Sequence, residues 1–287
     1  MSGFGAIPAA YAGEETARIV VLPVPYDETS TWMKGADRGP QAIIDASANM
    51  ELFDIETVSE VFRQGIFTAP AVTERSSPEA MVAAVRKRVG GYVDKGKFVI
   101  VVGGEHSVSV GSIQAHAARH PDMAVLQLDA HADLRDEYEG SRFNHACVMA
   151  RAREICPLIQ VGIRSMDRAE QANLTPGSVF WAHDIAADGG WIDAVLARLP
   201  AACYVTIDLD VLDPAVMPST GTPEPGGLFW YDVTRLLQAV SRRCRVLGFD
   251  VVELCPSDYN RAPDFLAAKL IYKFLSWCFE RTPFPQA

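Results

Sequence analysis

The segment QLDAHADL places Asp129, His131 and Asp133 at alternate positions directly after an apolar run. Alternate residues of extended chain project to one face, so the three side chains can converge. Burying unpaired carboxylates costs on the order of several kcal/mol each, and turn formation does not require this alternation. Two other apolar runs end in the same way: FVIVVGGEHS delivers His106, and YVTIDLDVLDP delivers Asp208 and Asp210. Two imidazoles and four carboxylates are too many ligands for one small cation. They suit a pair, bridged by carboxylates at about 3.5–4 Å. Mostly oxygen donors with two imidazoles suit Mn²⁺, while Zn²⁺ or Ni²⁺ could bind the same atoms more tightly.

Elements of a definite kind must bring these residues together. Strand-like runs occur at RIVVLPV, RQGIF, KFVIVVGG, MAVLQLDA, LIQVGIRS, SVFWA, CYVTIDLD and RVLGFDVVEL. Their continuous rather than alternating apolar character indicates a sheet covered on both faces. Between them lie helical patterns at SPEAMVAAVRKRVGGYVDKG, VGSIQAHAARHP, WIDAVLARLP, LFWYDVTRLLQAVSRR and DFLAAKLIYKFLSWCF. Ser77 caps the first, with Pro78 at its first helical position. This order of elements predicts an α/β sandwich with a mostly parallel sheet, formed as one domain over residues 1–287. Ligands of such sheets collect beyond the carboxyl ends of strands, where all three ligand-bearing segments fall.

Composition narrows the partners. The net charge is −10, from 36 acids against 26 bases, and no run rich in Lys and Arg appears. Nucleic acids and anionic membranes both need clustered positive charge, so neither is expected as a partner. No apolar stretch approaches the roughly 20 residues that span a bilayer, and MSGFGAIPAAYAGEE lacks the basic start of a secretory signal. The six cysteines form no C-x-x-C pair and mostly sit in apolar surroundings, which predicts reduced thiols and a cytoplasmic setting. A nucleophilic pair of His145 and Cys147 is disfavoured by their i, i+2 spacing and the lack of an orienting third group.

Other polar residues have simpler readings. His116 and His120 lie on the helix after Gly103–Gly104 and read as a solvated face; His183 reads as a structural strand-end residue. Asp213 is expected to cap the loop beginning VLDPAVMPSTGTPEPGG, and Glu105 to point away from any metal.

Taken in order, GGEHS, LDAHADLRDEYEG, DLDVLDPAVMPSTGTPEPGG and FDVVELCP resemble the ureohydrolase family of agmatinases, arginases and related guanidine-cleaving enzymes. The likeness runs from PVPYDETSTWMKGADRGPQAI to the last helix. It implies a three-layer α/β/α fold on a parallel eight-stranded sheet, a dinuclear manganese centre, and a homo-oligomer, usually a trimer or hexamer. One metal would take His106, Asp129, Asp133 and Asp208, the other His131, Asp129, Asp208 and Asp210, with Asp129 and Asp208 bridging. Glu105 stands where many members carry Asp.

The chemistry that the resemblance implies is hydrolysis of a guanidinium, a carbon made a poor electrophile by resonance and positive charge. Two cations lower the pKa of a bridging water and hold the hydroxide for attack. By resemblance Asp133 transfers the proton to the departing amine, Glu253 pairs with the substrate guanidinium, and His145 is a proton shuttle or substrate contact. The acids Asp136, Glu137 and Glu139 of DEYEG resemble agmatinases and would receive a distal ammonium. Agmatine, cleaved to putrescine and urea, is therefore the expected substrate, with guanidinobutyrate, aminopropylagmatine, guanidine or arginine as alternatives. A dinuclear phosphoesterase lacks clustered basic groups, and a non-catalytic homologue would be expected to have lost ligands.

Overall fold

Eight apolar runs become eight strands: β1 (Ile19–Val24), β2 (Ile66–Thr68), β3 (Phe98–Gly103), β4 (Ala124–Leu128), β5 (Leu158–Ile163), β6 (Val179–Trp181), β7 (Ala202–Asp208) and β8 (Arg245–Val252). The computed structural model describes residues 3–282 and Phe284. The strands form one sheet in the order β2-β1-β3-β8-β7-β4-β5-β6. Every pairing is parallel, so the expected mostly parallel sheet is wholly so.

Eight helices among the described residues cover it: α1 (Gly39–Ser47), α2 (Pro78–Asp94), α3 (Val108–Arg119), α4 (Val148–Arg153), α5 (Ala182–Ala187), α6 (Trp191–Arg198), α7 (Trp230–Arg243) and α8 (Ala262–Cys278). Side chains of one strand divide between two cores. In β1, Ile19 and Val21 join a cluster with α1, α6, α7 and α8, while Val20, Leu22 and Val24 join one with α2, α3 and α4. The fold is thus the three-layer α/β/α sandwich anticipated from the strand pattern and the resemblance. Helices α1, α4 and α5 escape sequence reading because nine, six and six residues carry too few turns to show a period. No helix among the described residues is long and apolar enough to cross a membrane.

Two histidines differ from expectation. His116 is buried, not solvated, because it lies on the face of α3 that packs against β7 and β8 of the sheet. Its ring packs on Tyr204 with centroids 4.8 Å apart, and its Nδ1 lies 2.9 Å from the Ser112 carbonyl. Burial pushes its pKa down to about 4, so the ring is neutral and Nδ1 carries the proton donated to that carbonyl. His183 is exposed on the short helix α5 rather than at a strand end. All six cysteines are free thiols, as expected.

The strand order explains the site. Ligand-bearing β3, β7 and β4, with β8 and its Glu253, are the four central strands, and successive strands β3 and β4 are separated by β8 and β7. That separation opens a crevice at their carboxyl ends. Gly104 shapes the turn there: its amide donates to the Val24 carbonyl at 2.9 Å, and the Glu253 amide donates to its own carbonyl at 2.8 Å. A Cβ on Gly104 would lie 2.0 Å from the backbone oxygen of Tyr26. Backbone cannot yield as a flexible side chain does. Gly104→Ala is expected to lower stability by about 3 kcal/mol, read as a fall in the denaturant midpoint at unchanged slope.

Candidate metal centre

The six expected ligands converge. His106 follows β3, Asp129, His131 and Asp133 follow β4, and Asp208 and Asp210 straddle the end of β7. Around His106 Nδ1 lie Asp133 Oδ2 at 2.8 Å, Asp129 Oδ2 at 3.1 Å and Asp208 Oδ2 at 3.5 Å. His131 Nδ1 faces Asp210 Oδ2 at 3.0 Å and Asp129 Oδ1 at 3.7 Å. Two ligand groups result, His106–Asp129–Asp208 and Asp129–His131–Asp210, with ligand atoms within 4.8 Å of one another and Asp129 shared.

Backbone amides orient the carboxylates. Asp129 Oδ1 accepts from the His131 amide at 2.6 Å, Asp210 Oδ1 from Ala130 at 3.0 Å, and Asp208 Oδ1 from Asp210 at 2.9 Å. In each case the other oxygen faces an imidazole. Asp133 is fixed through its main chain: its carbonyl accepts from Met149 and Ala150 at the start of α4, and its φ is +52°. Glu253 has φ +67°. Left-handed backbone at non-glycine residues is costly and gathers at functional sites, and these are two residues assigned roles by resemblance.

Electrostatics make the cluster untenable as an empty polar core. Burial and the Asp129 charge push Asp133 up to about 7. Burial, then Asp210 and Asp129, hold Asp208 well above the carboxylate range. Burial opposes the charged imidazoles, yet their carboxylate neighbours prevail: His131 rises to about 12, and His106 well above its ordinary value. His106 Nδ1 is buried without a hydrogen-bond partner among the described residues, although three carboxylate oxygens surround it. A divalent cation fits both the orphaned nitrogen and the surplus of negative oxygen.

Residues that sequence reading missed hold these ligands from behind. Gln127 donates to Asp129 Oδ2 at 2.6 Å and is itself held by Gln160 at 2.6 Å. Thr206 donates to Asp250 Oδ1 at 2.6 Å, and its oxygen lies 2.9 Å from His106 Nε2. With its one proton committed to Asp250, the hydroxyl can only accept from Nε2–H. Nδ1 is then the lone-pair nitrogen, as a metal ligand requires. The available signal was a polar residue inside each of the mainly apolar strands β4, β5, β7 and β8.

A cavity of about 280 Å³ opens above the ligands. Glu253 lines it, with Oε1 accepting from the His106 amide at 2.7 Å and Oε2 left toward Gly221. His145 also lines it, and burial lowers its pKa to about 4, so the ring is neutral. Glu105 faces Thr29 and Ser107 instead of the ligands, as expected. Asp213 caps its loop by accepting from Ala215, Gly226 and Gly227. Cys147 bonds to the Ser141 carbonyl, and burial pushes its thiol up to about 12, which ends its case as a nucleophile.

The acids of DEYEG do not behave as a subsite. Asp136 is exposed and paired with Arg151 at 2.6 Å, and Glu137 and Glu139 face solvent. Arg135 and Tyr138 turn inward to line the cavity, because the irregular loop presents these positions to it and the acids outward.

Residues 17–276 match the sequence model of the arginase family. The chain belongs to the arginase family. N(1)-aminopropylagmatine ureohydrolase of Synechocystis sp. is 37% identical over 91% of this chain and 89% of its own length. An enzyme of that name from Thermus thermophilus is 41% identical over 90% of this chain and 89% of its own. The crystal structure of agmatine ureohydrolase of Thermoplasma volcanium superposes with a TM-score of 0.87 at 31% identity, covering 98% of this chain and 95% of that one. As an arginase-family ureohydrolase, the protein is a hydrolase acting on guanidino C–N bonds.

Two measurements follow for this arginase-family site. Metal must displace protons from ligands whose pKa values are raised, so its affinity grows as pH rises through the value near 7 of Asp133. The rise in Tm on adding Mn²⁺ is therefore expected to be larger at about pH 8 than at about pH 5.5. Thr206→Val frees the His106 tautomer and is expected to weaken metal binding about 10- to 100-fold in a competition titration with a chelator.

Proposed function

We propose that this chain hydrolyses the guanidinium group of an agmatine-type amine, releasing urea and a polyamine, with aminopropylagmatine as the first substrate reading and agmatine as the second. One observation carries the reaction class: Glu253, with a free carboxylate oxygen, shares a cavity with the converging ligands. A carboxylate beside the reacting centre suits a planar cation with N–H groups on two sides. Residues at the mouth suit a distal ammonium. Trp32 is 75% exposed and offers a ring face, while Asp167, ion-paired to Arg135 at 3.6 Å, also lines the cavity, and Glu224 lies 3.8 Å from His131 Nε2.

The order of the two substrates rests on two findings. The DEYEG acids that favoured agmatine face away from the cavity. Two relatives at 37% and 41% identity carry the aminopropylagmatine name, which supports the longer amine. Agmatine keeps its place through the similar agmatine ureohydrolase structure.

Two divalent cations, Mn²⁺ by the hardness of the donor set, would supply Lewis-acid activation of water. His106, Asp129, Asp133 and Asp208 would hold one, and His131, Asp129, Asp208 and Asp210 the other. The protein's own groups do the rest. Glu253 holds the guanidinium against the ligand cluster, and its second oxygen keeps it anchored to the His106 amide. Asp133 stands at the cavity floor, where it can take a proton and return it to the departing amine. His145 meets the substrate from the wall as a neutral ring. A homo-oligomer and a cytoplasmic, polyamine-forming role belong to the same proposal.

Urea release by Mn²⁺-loaded protein from aminopropylagmatine, agmatine, guanidinobutyrate, guanidine and arginine tests it. Aminopropylagmatine is expected to lead in kcat/KM, with agmatine next. Leadership by guanidinobutyrate or arginine, which bear a carboxylate, would overturn the reading of the cavity mouth. Glu253→Gln is expected to lower kcat/KM at least about 100-fold at unchanged metal content.

A further inference from the structure

A second chain of carboxylate, threonine and histidine stands beside the cavity and has no part in holding metal. Glu105 and Thr29 are both buried, and the Thr29 hydroxyl donates to Glu105 Oε2 at 2.7 Å. The main-chain amide of His145 donates to the same hydroxyl oxygen at 2.9 Å, and His145 Nδ1 lies 3.3 Å from it. These contacts join segments 76 and 116 residues apart in sequence. Glu105 Oε2 meets Thr29 and Oε1 meets the Ser107 hydroxyl at 2.8 Å; burial raises this carboxyl to about 7, and above that pH both oxygens can only accept.

Counting protons fixes the direction of each bond. A hydroxyl has one hydrogen and two lone pairs. The hydrogen of Thr29 is committed to Glu105, so Thr29 can only accept from His145. One lone pair takes the main-chain N–H. The other takes a hydrogen from the ring, so Nδ1 must be protonated. In a neutral imidazole the lone pair is then on Nε2, the nitrogen left for substrate.

We propose that Glu105 and Thr29 are positioning residues that fix His145 as its Nδ1–H tautomer and so present Nε2 to the substrate as an acceptor. His145 then receives a hydrogen bond, or the proton itself, from a substrate N–H, and cannot donate from its neutral form. When the proton moves from substrate nitrogen to Nε2, Nδ1–H still points at Thr29, with the Glu105 charge behind it. The orienting role is that of the carboxylate in a hydrolytic triad, here passed through a hydroxyl. A carboxylate one methylene shorter than Glu105 would draw back from Thr29. That gives the Glu in GGEHS a task.

The inference rests on the proposed guanidine chemistry only for what His145 meets; the tautomer is independent of it. Groups near the ring are Tyr138, whose ring stands edge-on at 6.2 Å, and His106, His131 and Lys34, whose positive charge opposes protonation. Zn²⁺-loaded protein, diamagnetic and labelled with ¹⁵N at histidine, reports the tautomer by long-range proton–nitrogen correlation at about pH 8.5. His145→Asn assigns the signals. The expected spectrum has protonated Nδ1 and unprotonated Nε2, and Thr29→Val is expected to mix or reverse them while Thr29→Ser restores them.

In turnover, Thr29→Val is expected to lower kcat about 10- to 100-fold, with KM within about twofold, and Ser is expected to recover most of it. A wild-type His145 with protonated Nε2 would overturn the proposal, whether or not any variant folds. So would an unchanged tautomer in Thr29→Val. The expected tautomer in a protein that releases urea from no guanidine would uphold the positioning and defeat the proposed function.

Discussion

Like-charged carboxylates gathered out of water are the constraint from which the rest of this structure follows. Asp129, Asp133, Asp208 and Asp210 are all buried at the ends of two neighbouring strands, β4 and β7. Such a group stands only if backbone dipoles hold one side of each carboxylate and positive charge answers the other. Amides of Ala130, His131 and Asp210 meet the first need. Imidazoles meet part of the second, and the remaining excess of negative oxygen is what two divalent cations would neutralise. The wholly parallel sheet serves this arrangement by aiming four adjacent carboxyl-terminal strand ends at one crevice.

The same logic reaches the residues behind the ligands. A histidine that must present one particular nitrogen needs its other nitrogen told what to do. Hydroxyls do this twice here, Thr206 for His106 and Thr29 for His145, each committed to a buried carboxylate. Serine and threonine hydroxyls can point either way, so a hydroxyl alone decides nothing. Paired to an acceptor-only carboxylate, it becomes directional. Asp250 and Glu105 thus set the tautomers of rings they do not touch.

Much of this was legible in the chain. Continuous apolar runs marked all eight strands because a sheet covered on both faces leaves no polar alternation, and the alternating D-A-H-A-D marked the ligands because extended chain sends alternate residues one way. Periodicity failed for α1, α4 and α5, which are too short to display it. His116 misled because its helix carries small residues on two faces, and only its packing on Tyr204 of the sheet reveals which face is dry. The acids of DEYEG misled because charge in an irregular loop says nothing of direction. Thr29, Thr206, Glu105 and Asp250 gave little signal: their meaning lies in pairings across 44 to 100 or more residues.

The bond from the His106 amide to Glu253 joins residues 147 positions apart, and β8 lies between β3 and β7 in the finished sheet. A ribosome delivers β8 after every other strand. Until it arrives, β3 lacks a neighbour on its inner side, and His106 has no fixed relation to the ligands that follow the directly paired β4 and β7. Sheets with such distant pairings form slowly, because loop closure comes before the contacts that reward it. Completion of the ligand cluster is therefore a late event in biogenesis, and a chain still lacking β8 would hold His106 apart from the ligands of β4 and β7.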